Sequence, residues 1–558
     1  MKSIYLFVLA AIILALCFSR VPAQEMHTHT HTHDPSERLG QVNFPVSCSA
    51  SSQKQFNRAT ALLHSFWYEE AEKSYAAIAR EDPKCAMAYW GVAMSNYHPV
   101  WAPANDVELK KGWAAVENAK SIGAKTDRER GYIAAIEVFY RDHDKLDHRT
   151  RALAYEKAME QLHASYPKDR EAAIFYSLAL LGTGPLTDKT FANQKRAAAI
   201  LNGVLPLEPR HPGVAHYLIH SFDYPQLAQL ALPAARSYAR IAPSSPHALH
   251  MPSHIFTRLG LWQESISSNL ASAAAAKNHV QKTHPGAASF DELHAVDYLV
   301  YAYLQGAQDE KAARLLAQLK EVNKVDVEQF AAAYAFAAVP ARYALERRQW
   351  NEAAKLELHP LTFPWQDFPY AEAIIHFARA IGAARSGDPS TARMAVDKLS
   401  SIREALAGKK DIYWSNQVEI QRQAAAAWLA FAEGNQDEAL KLMRSAANLE
   451  AASEKHPVTP GAVVPARELL GDMLLELKRG DEALAAYEAS LHDAPKRFNG
   501  LYGAARAAQL SGDRKKAAGY YAKIVALTTR ADTVRPELRE AKQFVRRGGG
   551  SATTGRNH

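Results

Sequence analysis

The alternation of Val, Ile or Thr with polar residues that marks a half-buried strand is almost absent from this chain. In its place run Ala-rich stretches such as "ASAAAA" (271–276) and "AAAAWLAFA" (424–432), which favour helix. The chain reads as all-α. A longer period overlies the helical one. Gly471, Ala483, Tyr487 and Pro495 are followed 34 residues later by Ala505, Ala517 and Tyr521 for the first three. Near the N-terminus Ala71, Tyr75 and Pro83 repeat the same mutual spacings. A fixed period of this length is the mark of a repeat array, in which each unit buries its apolar face only against its neighbours.

The pattern resembles the tetratricopeptide repeat (TPR): a small residue at position 8 of the unit, Ala at 20, an aromatic at 24 and Pro near 32. The resemblance implies a TPR-type α-solenoid of antiparallel helix pairs over residues 51–545. Units are expected at 52–85 and 86–119, and around Ala231, Ser265, Ala312, Ala353, Ala392, Ala439, Ala483 and Ala517. Residues 103–200 are helical in pattern but poorly phased, and "ASEKHPVTPG" (452–461) reads as a long loop.

Histidines fall into this register. "PGVAHYLIHSFDYPQ" (212–226) carries His216 and His220, and "PHALHMPSHIFTRLG" (246–260) carries His247, His250 and His254. Residues four apart share a helix face. His216/His220 and His250/His254 take equivalent positions, 5 and 9, in consecutive units. By the TPR resemblance those positions line the concave groove. Packed helices lie roughly 8–10 Å apart, so imidazoles from two of them can converge on one ion. The next unit adds His294, Asp297 and Tyr301. His216, His220, His250, His254 and His294 are therefore the expected metal ligands. His247, Asp223, Asp297 and Tyr301 are expected as further ligands or as partners that orient the imidazoles. An all-nitrogen set suits Zn or Cu. Pro252 would interrupt its helix and free the carbonyl of Ala248.

A second pair, His64 and His98, is also 34 apart, each followed by a tryptophan, Trp67 and Trp101. They read as a second groove patch or as histidines packed at a helix end. His27, His29, His31 and His33 alternate with Thr in "EMHTHTHTHD" and form a biased segment of the metal-binding kind, or a solvated tail. "HYLIHSF" and "HMPSHIF" also resemble segments of a group of secreted bacterial TPR proteins, a resemblance that carries no activity with it.

Residues 1–23 have the charged, apolar and small-residue regions of a secretory signal, which implies a periplasmic or secreted protein. No other stretch is long and apolar enough for a membrane helix. Residues 24–50 form a His-rich N-terminal segment, and 546–558 a disordered tail. Cys17 leaves with the signal, so Cys48 and Cys85 are expected as a disulfide in an oxidising compartment. The net charge of +7 is spread along the chain with no basic stripe, which argues against nucleic acid. Phosphate loops, dinucleotide fingerprints, C-x-x-C and nucleophile elbows are absent, and neither H-x-x-x-H has the Glu of a zincin.

Two functions remain. The first is an exported solenoid with a histidine-ligated metal in its groove. Four ligands would close the shell, and three would leave a position open for chemistry. The second is an interaction scaffold holding a protein or peptide in the groove.

Overall fold

The computed structural model describes residues 37–550, apart from 101, 102 and 186. The signal segment, His27, His29, His31, His33, Trp101 and residues 551–558 lie outside the described residues. Among those described, every regular element is helical; an isolated bridge between Ala288 and Val325 is the nearest approach to a sheet.

Consecutive helices pair antiparallel. The first pairs are α1 (Ala50–His64) with α2 (Tyr68–Glu81), α3 (Ala86–Ser95) with α4 (Asp106–Ile122), α5 (Asp127–Tyr140) with α6 (His148–Ser165), and α7 (Arg170–Thr183) with α8 (Ala192–Val204). Next come α9 (Pro212–Phe222) with α10 (Leu232–Ile241), then α11 (Pro246–His250) and α12 (Pro252–Arg258), which together face α13 (Trp262–Thr283). They are followed by α14 (Phe290–Gln305) with α15 (Asp309–Lys320), and α16 (Phe330–Glu346) with the four-residue α17 (Trp350–Ala353). The array ends with α18 (Pro369–Ser386) and α19 (Pro389–Gly408), α20 (Ile412–Ala432) and α21 (Gln436–Ala451), α22 (Ala466–Glu476) and α23 (Gly480–Asp493), α24 (Phe498–Leu510) and α25 (Arg514–Leu527), and α26 (Pro536–Gly550).

The repeat period has a packing cause. Ala71, Ala231, Ser265, Ala312, Ala353, Ala392, Ala439, Ala483 and Ala517 are all at 0% exposure, so a larger side chain at that position would separate the two helices of its unit. The aromatic four residues later does the complementary work. Tyr487 lies against Gly471 and Gly503, and a Cβ built on Gly503 would come within 2.1 Å of its ring. Gly503→Ala is therefore expected to cost about 1–3 kcal/mol in urea denaturation through overpacking. Gly519→Ala, on an open face of α25, should be neutral or stabilising. Equal effects of the two substitutions would remove this account of the repeat.

The poorly phased stretch 103–200 also forms hairpins. Its helices run from 13 residues (α8) to 18 (α6), so the pairing persists while the 34-residue period does not. Capping boxes at Asn105 and Thr126 set the starts of α4 and α5. Cys48 and Cys85 form a disulfide with their Cα atoms 4.8 Å apart. Phe44, on the extended segment before α1, is fully buried among Phe56, Trp90 and Tyr132.

Two hydrophobic cores result, one over residues 39–256 and one over 262–541. The last hairpins fold back on α14 and α15: Phe498 N–H donates to Gln305 Oε1 (2.8 Å) and Arg535 Nε to Asp309 Oδ2 (2.9 Å). The histidines of α9, α11, α12 and α14 lie where the two cores meet.

Candidate metal centre

Six imidazoles are buried at this boundary, with exposures between 0% for His216 and 8% for His294. They form two groups of three rather than the single convergence of four that the repeat register predicts. In the first, His216 Nε2 lies 3.1 Å from His220 Nε2 and 3.1 Å from His247 Nε2. In the second, His250 Nε2 lies 3.0 Å from His254 Nε2, and the His294 ring centroid is 4.2 Å from that of His250. In each group the three ligand nitrogens lie within 4.8 Å of one another. His247, expected as a supporting residue, stands level with His216 and His220.

The sequence builds this locally. Spacing of four on α9 puts His216 and His220 on one face. His247, His250 and His254, spaced three and four apart, follow one face of the α11–α12 segment, which Pro252 divides at Met251 without turning it away. His247 then joins the α9 histidines, while His250 and His254 turn to His294 on α14.

Supporting groups fix the ring orientations. His216 Nδ1 donates to the carbonyl of His64 at 2.7 Å, at the open C-terminal end of α1. His254 Nδ1 donates to Asp223 Oδ2 at 3.0 Å. His250 Nδ1 lies 2.6 Å from Asn269 Oδ1, and the Asn269 amide nitrogen donates to Ser265 O (2.8 Å), so it is the oxygen that faces the imidazole. His250 and His254 therefore carry their protons on Nδ1, and as neutral rings their Nε2 atoms are bare. Two lone pairs then face each other across 3.0 Å. Three nitrogens about 2.0–2.1 Å from a tetrahedral ion would sit about 3.3 Å apart, close to this spacing.

A proton would also relieve the contact, but the surroundings resist it. Burial, followed by the charge of neighbouring imidazoles, holds His220, His247, His250 and His294 well below the usual histidine range. His216 falls to about 3 by burial. His254 is also lowered by burial, partly offset by Asp223. Asp223 itself is buried, yet Lys455 and Arg258 keep it ionised. Neutral imidazole is the form that binds metal.

Other expected residues lie elsewhere. Asp297 pairs with Arg342 (3.3 Å), and the Tyr301 hydroxyl accepts from Arg497 (2.8 Å), so neither supports a histidine. Tyr298, which the register passes over, puts its hydroxyl 3.3 Å from both nitrogens of His254; its place four residues after His294 is the signal that would have found it. Asn269 has no such signal. His64 and His98 do not share a patch. His64 is buried with its Nε2 2.9 Å from Glu171 Oε2, and His211 holds the other carboxylate oxygen at 2.9 Å. Against the effect of burial, His211 and His64 bring Glu171 down to about 2. His98 lies against Tyr68, and Trp67 meets the edge of His279. Nor do the six buried histidines line an open groove: Pro457 and Val458, from the long loop before α22, lie against His220, His247, His254 and His294, and Val458 O accepts from Tyr298.

Fold and site together define a TPR-type α-solenoid with histidine clusters buried between its two cores. Neither a protein family nor a curated protein matches the chain in sequence. Among solved structures it is similar to the human IFIT1 dimer with m7Gppp-AAAA (13% identity, 80% of this chain and 90% of that one, TM-score 0.36). It is similar also to yeast Tom70 (11%, 90% and 96%, TM-score 0.34). A third likeness is to Cut9 in the APC/C hetero-tetramer Cut9–Hcn1 (13%, 89% of each chain, TM-score 0.33). At these scores nothing about the ligand or partner of this chain follows from them. Among the described residues no helix is long and apolar enough to cross a membrane.

Proposed function

We propose that this chain is an exported helical-repeat metalloprotein that binds two transition-metal ions, Zn or Cu, one in each histidine triad. The observation that carries the reading is the contact of two bare Nε2 atoms, His250 and His254, at 3.0 Å with their Nδ1 protons committed elsewhere. A bound cation turns that repulsion into coordination. Supporting groups on the far nitrogens of His216, His250 and His254 are the kind that set ligand orientation and basicity. Three nitrogens per ion leave a coordination position open, the arrangement of catalytic rather than structural sites. Export rests on the signal-like residues 1–23 and agrees with the disulfide.

Elemental analysis of untagged protein tests the proposal. Two ions per chain are expected, with His220→Ala and His254→Ala each retaining one. Metal-free protein, or metal lost only on deleting residues 25–34, would overturn it and leave an array that binds partners through its surface.

A further inference from the structure

Two triads that share a wall raise the question of whether their ions would act separately. Nearest rings across the boundary, His220 with His254 and His247 with His250, have centroids 6.3 and 6.2 Å apart. A void of about 20 Å³ is lined by His220 and His247 from one group and His254 and His294 from the other, and closed by Asp291, Phe330 and the 457–458 loop. That is room for one water-sized molecule. A second cavity, of about 420 Å³, reaches His220 past Arg149, Asp223 and Lys455. Small molecules thus have an approach as far as His220, and two of those three charges are positive.

Charge narrows the choice of ion and ligand. All six ligands are neutral; of the carboxylates beside them, Asp223 is already matched by Arg258 and Lys455, and Asp291 lines the void itself. Two divalent ions would bring four positive charges into a buried site, of which Asp291 offsets one, and the rest are costly without counter-anions. Two Cu(I) ions bring half of that. Oxidised to Cu(II), the pair would need an anion between them.

We infer that the triads hold a coupled pair of copper ions whose shared void takes one small bridging ligand, with dioxygen as the substrate of the reduced pair. This rests on the metal-binding reading above and extends it. Each Cu(I) gives one electron and dioxygen gains two, reaching the peroxide level with its O–O bond kept. No proton moves and no group leaves. The resulting dianion would offset two of the four positive charges and return the site to the net charge of the Cu(I) pair.

The full-length protein, loaded anaerobically with Cu(I), should consume one dioxygen per two copper ions. The oxidised protein should lose its Cu(II) EPR signal through coupling, although metal analysis still finds both ions. His294→Ala, left with one copper, should show the full signal of an isolated ion. Two ions per chain with a full, uncoupled signal would overturn this inference and leave the metal-binding reading intact. Protein that takes up no copper overturns the inference directly, and zinc in both triads would then be the surviving form of that reading.

Discussion

Metal-free protein is expected to unfold on acidification between about pH 6 and pH 5, well above the range where carboxylates titrate. The six triad histidines are lowered in the fold, and the unfolded chain protonates them near 6.5. Above pH 6.5 both states are neutral and the histidines add no pH dependence. Below it the unfolded state binds protons that the folded state refuses, so stability falls as pH falls, until the folded groups themselves titrate. Each histidine costs about 1.4 kcal/mol by pH 5.5, and six cost at most about 8 kcal/mol, comparable to the whole stability of a domain. Circular dichroism across a pH series checks this. Replacing both His250 and His254 by Leu should move the transition to lower pH, and so should metal loading, because a ligand that binds only the folded state stabilises it. A transition at the same pH in wild type and double variant would show that the triads are not the acid-labile element.

Arg497→Met should destabilise the C-terminal core by about 3–5 kcal/mol. The guanidinium is at 0% exposure and is shared among three partners. Its Nε donates to Glu468 Oε1 and an Nη to Glu346 Oε1, each at 2.6 Å, while the other Nη reaches Tyr301 OH at 2.8 Å. Asn499 and Gln305 also donate to Glu346. Removing the cation leaves two carboxylates buried together, and burial already raises Glu468 even with the arginine present. Adding Glu346→Gln and Glu468→Gln to Arg497→Met should recover most of the loss, since the cost lies in the unpaired charge. Chemical denaturation of the single and triple variants measures it. Equal stabilities for wild type and Arg497→Met would mean that the network contributes nothing.

The same network shows how reading the register goes astray. Tyr301 and Asp297 occupy groove-facing positions next to His294, and from the sequence they belong with it. In the fold, Arg342 and Arg497 claim both. Arg497 lies 196 residues from Tyr301, and nothing in the local pattern announces that approach.

The helix class, the hairpin units and the small residues between paired helices were legible because they follow from local periodicity. A helix buries the face its own sequence makes apolar, and a repeat stacks on the next by the same contacts. The sequence likewise placed His216 beside His220 and His250 beside His254, since residues four apart share a helix face. What the chain did not disclose was their partition. Whether four imidazoles meet at one point or six divide into two triads depends on the offset of α9, α11–α12 and α14 along one another. That offset is set by packing across two cores and by contacts hundreds of residues apart in sequence, as when Lys455 reaches Asp223. Tertiary structure alone decided it, and with it whether one ion or two can be held.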